Sequence, residues 1–253
     1  MFRKLILPIS LILFNVKSCF AEVTIHQDCH SLKELIPFIQ ERSLIFLDID
    51  LSVLVENPLE QCVEKVEKDV LETLEVLRSK GAIIFALTSR SFQFADRTIQ
   101  QLADIGIHYG IFLDKLSLRT ETFSKDKSHQ GYKDGIIFTG AENKGKVLKS
   151  FLSLHPELIY TQISLMDDDE KEIADIKESL ADDPNPIDLF HFKGAEQRHN
   201  EILKDLALVQ KVMLEHKVSN LVLQKRARKL GLSFKDYLKK LSKKHINKKR
   251  DQK

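Results

Sequence analysis

Residues 43–50 read SLIFLDID, an apolar run of strand length that passes without alternation into two aspartates, Asp48 and Asp50. An unbroken apolar run is the mark of a strand covered on both faces, as in a parallel sheet packed between helices. The pattern recurs along the chain. Residues 82–87 (AIIFAL) stop at Thr88-Ser89-Arg90, and residues 135–139 (GIIFT) form a third run. Residues 162–166 (QISLM) stop at Asp167-Asp168-Asp169, and residues 187–192 (IDLFHF) follow Pro184 and Pro186.

Helical patterns fall between these runs. Ser31-Leu32-Lys33-Glu34 has the Ser-x-x-Glu form of a capping box and opens a short helix ending near Arg42. Over 59–79, Val63, Val66, Val70, Leu74 and Leu77 recur at three- and four-residue spacing, with Gly81 placed to end the helix. A further helix is expected over about 92–104, before Gly106, and GKVLKSFLSL (145–154) is a helix stopped by Pro156. Strand and helix in alternation predict a doubly wound parallel α/β sheet. Ligands of such sheets bind at the carboxyl ends of the strands. Asp48 and Asp50, Thr88, and Asp167 and Asp168 all stand at that edge.

Carboxylates gathered at one sheet edge need a compensating cation, and an oxygen-rich cluster suits a hard divalent ion, above all Mg²⁺. A metal with a nearby lysine makes a site for a phosphoryl group, whose transfer depends on charge neutralisation and alignment. The bland explanation of any single one of these acids is helix capping after a strand.

The same residues resemble the haloacid dehalogenase-like superfamily. LIFLDIDLSVL is similar to its first motif, Asp-x-Asp-x-Thr/Ser, here Asp48, Asp50 and Ser52, with Leu51 where many members have Gly. IIFALT, ending in Thr88, is similar to the second, Lys144 in ENKGKVLKSFL to the third, and ISLMDDDEKEI, with Asp167 and Asp168, to the fourth. The resemblance covers roughly residues 40–195. It implies a phosphomonoesterase in which Asp48 is the nucleophile and Asp50 the general acid/base. Thr88 and Lys144 would hold the phosphate. Asp48, the Asp50 backbone carbonyl and Asp167 would bind Mg²⁺, with Asp168 as an outer ligand. About 33 residues separate the first two motifs, which implies a minimal cap and an open site for a phosphorylated substrate. His129 and Tyr132, in the polar stretch 108–134, are candidate substrate contacts, though exposed residues without a role are the plainer expectation.

Composition is that of a globular chain: of 253 residues, 43% are hydrophobic and 30% charged, enough for a sizeable core. The formal net charge of +2 hides a split. From Glu201 to Lys253 there are 16 Lys/Arg against 5 Asp/Glu, and in the rest 23 against 32. We expect an α/β domain over 22–200 and a basic helical extension over 201–253. Leu206, Val209, Met213 and Leu221 would form a face packed on the domain. Phe234, Tyr237, Leu238 and Leu241 would line a last helix. The basic end suits an acidic partner (nucleic acid, anionic lipid or acidic protein) or simply a solvated face, and no nucleic-acid-binding motif accompanies it.

Arg3 and Lys4 followed by LILPISLILF (5–14) read as a secretory signal, with Cys19 and Ala21 placed for cleavage before Glu22. A lipid-modified Cys19 is the rival, with Lys17 against it. An exported protein, periplasmic or secreted, is therefore expected, with no membrane span after residue 21. Cys29 and Cys62 would then meet an oxidising compartment, where pairing and two buried thiols are equal expectations. The rival to an enzyme is a non-catalytic module of the same fold that binds a partner through its surface or tail.

Overall fold

In the computed structural model the five apolar runs all become strands of one sheet. The residues described are 22–57, 62–113, 118–123, 129–140, 142–216, 219–230, 232, 234, 236–238 and 240. The expected leader, residues 1–21, lies outside them. In chain order the elements are β1 (Val23–Cys29), β2 (Ser43–Leu47), β3 (Leu54–Asn57), β4 (Cys62–Lys65), α1 (Val70–Ser79), β5 (Ile83–Thr88) and α2 (Ala95–Asp104). Then follow β6 (Glu121–Thr122), β7 (Gly131–Lys133), β8 (Ile136–Phe138), α3 (Lys144–Leu154), β9 (Gln162–Asp167), α4 (Glu170–Ser179), β10 (Ile187–Phe192), α5 (Ala195–His216) and α6 (Asn220–Lys229).

The eight-stranded sheet has the order β1-β10-β9-β2-β5-β8-β7-β6. From β1 to β8 neighbouring strands are parallel, and β7 and β6 add an antiparallel edge. The chain leaves β2 for β5 and β8 on one side, then crosses back to β9 and β10 on the other. The order therefore reverses at β2, where a ligand crevice is expected. Alternate residues of β2 show why both faces are closed. Ile45 and Leu47 enter a core with Val70, Leu74 and Leu77 of α1 and Leu102 of α2. Leu44 and Phe46 enter a second core with Val147, Leu148 and Phe151 of α3 and Ile173 and Ile176 of α4. Each such side chain contributes roughly 1.5–3 kcal/mol on burial.

Three expectations are corrected. The helix expected over 59–79 begins only at Val70. Ahead of it β3 and β4 form an antiparallel hairpin, Leu54 opposite Lys65 and Asn57 opposite Cys62. Val63 and Val66, counted at helical spacing, instead pack on the first core from the hairpin and its exit. Cross-strand pairing has overridden a weak local pattern. The capping box forms, Ser31 N donating to Glu34 Oε1 at 3.0 Å, but it starts only a 3₁₀ turn, Leu32–Leu35. Tyr132 is not a loop residue: it is buried in β7, its ring against Phe85 and Phe151.

The boundary at 200/201 also falls inside an element, because α5 runs unbroken across it. Near its start Ile202 is buried and Arg198 pairs with Glu64 of β4. Farther along, Val209 and Val212 leave the sheet's cores and form a third with Leu223 and Ala227 of α6 and with Tyr237 and Leu238. The later part of α5 and α6 pack on one another rather than on the sheet. Leu241 lies outside the described residues. Among those described, no helix is long and apolar enough to cross a membrane. Cys29 is buried and Cys62 exposed, and no disulfide joins them. Burial pushes the Cys29 thiol up to about 11.

Candidate functional site

Asp48 is the first residue past β2, and its backbone N donates to Met166 O of β9 at 2.9 Å. Asp167 ends the adjacent β9. Lys144 opens α3, where Asn143 caps the helix by accepting from Lys146 N at 2.9 Å. Gly145 lets that helix start lie close to α4: a Cβ there would meet Ser179 Oγ at 2.6 Å. Three segments far apart in sequence are thus brought to one point. Lys144 Nζ donates to Asp48 Oδ1 and to Asp167 Oδ2, both at 2.6 Å. All three side chains are buried, at 3% exposure for Lys144, 5% for Asp48 and 1% for Asp167.

Asp168 completes the group. Asp48, Asp167 and Asp168 each offer a carboxylate oxygen, and these oxygens lie within 4.8 Å of one another. The charges do not balance: three carboxylates face one ammonium in a place with little water. Burial pushes Asp48 up to about 8 against the opposing pull of Lys144, with Asp167 adding to the rise. Burial and then Asp167 push Asp168 up to about 6. Lys144 is held above the ordinary lysine range by the two aspartates, which outweigh its own burial. Carboxylates that hold protons this strongly mark negative charge wanting a cation, and an all-oxygen donor set fits a hard divalent ion.

Asp50 is not drawn into the trio by its carboxylate. Arg90, two residues beyond β5, grips it through both oxygens, Nε to Oδ2 at 2.8 Å and Nη2 to Oδ1 at 2.6 Å. The guanidinium is itself held by Gln101 Oε1 at 2.6 Å and Thr98 Oγ1 at 3.3 Å, both on α2. Asp50 and Arg90 line a cleft of about 490 Å³ with Glu56, Ser91, Phe94, Arg97, Thr98 and Gln101. Thr88 is buried, and its Oγ1 accepts from Arg90 N at 3.2 Å, so it shapes the turn that carries Arg90. Leu51 sits at φ +60, a left-handed conformation. It supplies the tight turn after Asp50 despite its side chain, which packs on the first core. The Ser52 hydroxyl is buried without a hydrogen-bond partner among the described residues. Asp169 caps α4, accepting from Lys171 N at 2.8 Å. His129 is exposed, its Nδ1 3.3 Å from Ser91 Oγ.

Sequence reasoning missed four residues here. His191 of β10 is buried, with Nε2 3.2 Å from Asp168 O and Nδ1 3.0 Å from Gln27 Oε1, so it props the turn that presents Asp168. Its one local signal is a histidine inside the apolar run IDLFHF. Glu172 in the first turn of α4 has a buried Oε2 without a hydrogen-bond partner among the described residues, and burial raises its carboxyl above the usual range. Tyr109 is buried close enough to Asp48 for that carboxylate to help raise its phenol. Arg90 is the fourth.

A family model, "Protein of unknown function (DUF2608)", matches residues 57–242, and the chain belongs to that family. This overturns the haloacid dehalogenase-like resemblance, since the matching model is not one of that superfamily's. The motifs behind that resemblance are short. An apolar strand ending in acids is what any parallel sheet with a polar carboxyl edge supplies. The match also begins beyond Asp48 and Asp50 and runs through α5 and α6, across the expected domain boundary. No curated protein and no solved structure matches the chain.

Proposed function

We propose that the protein is a Mg²⁺-dependent phosphohydrolase that passes a phosphoryl group to Asp48 and then to water. The observation that carries this reading is the buried Lys144 bridging Asp48 and Asp167, with Asp168 completing a carboxylate trio that lacks a cation's worth of charge. Asp48, Asp167 and Asp168 would hold the ion, which when bound neutralises charge on the phosphoryl oxygens.

The chain's own residues supply the remainder. Lys144 orients Asp48, fixing one oxygen and leaving the other to attack phosphorus. As that bond forms, the bond from phosphorus to the leaving oxygen breaks, and protonated Asp50 gives that oxygen its proton. Water then attacks the aspartyl-phosphate, Asp50 takes a proton back, and Asp48 returns as a carboxylate. Arg90 fixes both oxygens of Asp50, so proton transfer requires the guanidinium to yield one of these hydrogen bonds. The cleft beside Asp50 is bounded by the short β3–β4 hairpin rather than by a separate domain, which suits a bulky phosphomonoester.

The test is phosphate release from a broad panel of phosphoesters, with trapping by a fluoride-based phosphoryl mimic. Asp48→Asn should abolish both readouts. Asp50→Asn should cost on the order of 10²–10⁴-fold in rate while sparing the trap. Equal activity of wild type and Asp48→Asn, or a folded, Mg²⁺-loaded protein inert on the whole panel, sinks the reading in favour of a binding module.

A further inference from the structure

We propose that α6 docks on an anionic lipid bilayer, a role independent of the acid site. The charge is concentrated: between Ser219 and Lys253 there are 13 Lys/Arg against 2 Asp/Glu, so this stretch alone holds the whole +11 of the C-terminal region. The body over residues 22–200 carries 20 Lys/Arg against 32 Asp/Glu. A negatively charged surface therefore attracts one end of the molecule and repels the other, which orients it.

The structure shows how that charge is presented. Leu223 and Ala227 turn inward to the small C-terminal core, which leaves the opposite face of α6 to solvent. Lys225, Arg226, Arg228 and Lys229 are all exposed there, and none forms an ion pair among the described residues. Val222 lies among them, one turn before Arg226 and two before Lys229, and is 36% exposed. Leu230, at the end of the same helix, is 58% exposed. An aliphatic side chain among cations, with a second at the helix end, suits the boundary between lipid headgroups and acyl chains.

Two features favour lipid over nucleic acid. Ten of the 13 cations are lysine, a point charge suited to a diffuse field, whereas bidentate readout of phosphates and bases favours arginine. The described aromatic side chains of this region, Tyr237 and Phe234, pack in its core instead of offering a stacking face.

The experiment is sedimentation of the full chain with phosphatidylserine-containing vesicles and with pure phosphatidylcholine vesicles, at low and high NaCl. Binding only to the anionic vesicles, weakened by salt, is expected. Replacing Lys225, Arg226, Arg228 and Lys229 together by Gln, a good helix former, should lower the partition coefficient on the order of 1000-fold. Val222→Ser with Leu230→Ser should weaken binding about tenfold while keeping its salt dependence. Equal binding to the two vesicle types overturns the proposal even if the fourfold variant misfolds. So does failure to bind either, or tighter binding to RNA than to vesicles at the same ionic strength with the aliphatic variant unchanged.

Discussion

Lys144 Nζ sits 2.6 Å from Asp48 Oδ1, and both side chains are buried. A buried ion pair owes its persistence to being satisfied on all sides, and here one ammonium serves Asp48 and Asp167 together. Removing it strands two carboxylates in a low-dielectric site.

Lys144→Met should therefore destabilise the metal-free fold by about 3–5 kcal/mol, the cost of leaving buried charge unpaired. Urea unfolding with and without Mg²⁺ measures this. The ion should stabilise the variant more than wild type, because it replaces the missing positive charge. A variant as stable as wild type without metal would show that the pair holds nothing together.

Mg²⁺ should raise the stability of the wild-type protein by about 2.7 kcal/mol at a hundredfold excess over its Kd. Calorimetry should find that Asp167→Asn loses this response and Asp168→Asn weakens it. Asp50→Asn should keep it, because its carboxylate belongs to Arg90 instead of the trio. An equal loss in Asp50→Asn would move the ion to another place.

The pH dependence follows from Asp48, which burial lifts from 3.8 to about 8. The folded protein thus holds a proton that the unfolded chain releases near pH 4. Its stabilising contribution is present at low pH and is lost as pH rises through 8. Without metal, stability attributable to this group should fall between about pH 4 and pH 8. Asp48→Asn should flatten that slope, and so should saturating Mg²⁺. Denaturant midpoints across this range give the measurement, and an unchanged slope in Asp48→Asn would count against the argument.

Arg90→Ala should release Asp50 from its two-point grip without touching the carboxylate trio. Misplacing a proton-transfer group by about 1 Å costs on the order of 10²-fold. Phosphate release should therefore fall by about that factor while Mg²⁺ affinity is unchanged. Loss of metal binding in this variant would mean that Asp50 takes part in the ion site after all.

Much of the sheet was legible because β2, β5, β9 and β10 are buried on both faces, and two-sided burial writes itself into sequence as an unbroken apolar run. Asp48, Asp167 and Lys144 were legible for a related reason: polar residues just beyond such runs fall on one edge of a parallel sheet. The hairpin of β3 and β4 was not legible. Val63 and Val66 satisfy helical spacing, and only the cross-strand partners place Val63 in a strand instead. Arg90, His191 and Tyr109 meet partners distant in sequence, and nothing in their neighbours announces those partners. Family membership was misread where four short patterns, each common to parallel sheets, were taken together as a signature.

One helix, α5, belongs to two cores at once, with Ala195 in the first sheet core and Val209 and Val212 in the C-terminal cluster. Its two ends need not melt together. The C-terminal cluster is small and shares no side chain with the cores around the sheet. Opening it costs the burial of a handful of residues, whereas opening the sheet costs both large cores. Amide exchange in α6 should therefore run through a partial unfolding of lower free energy than exchange in β2 or β9, giving the molecule two cooperative units joined by one continuous helix.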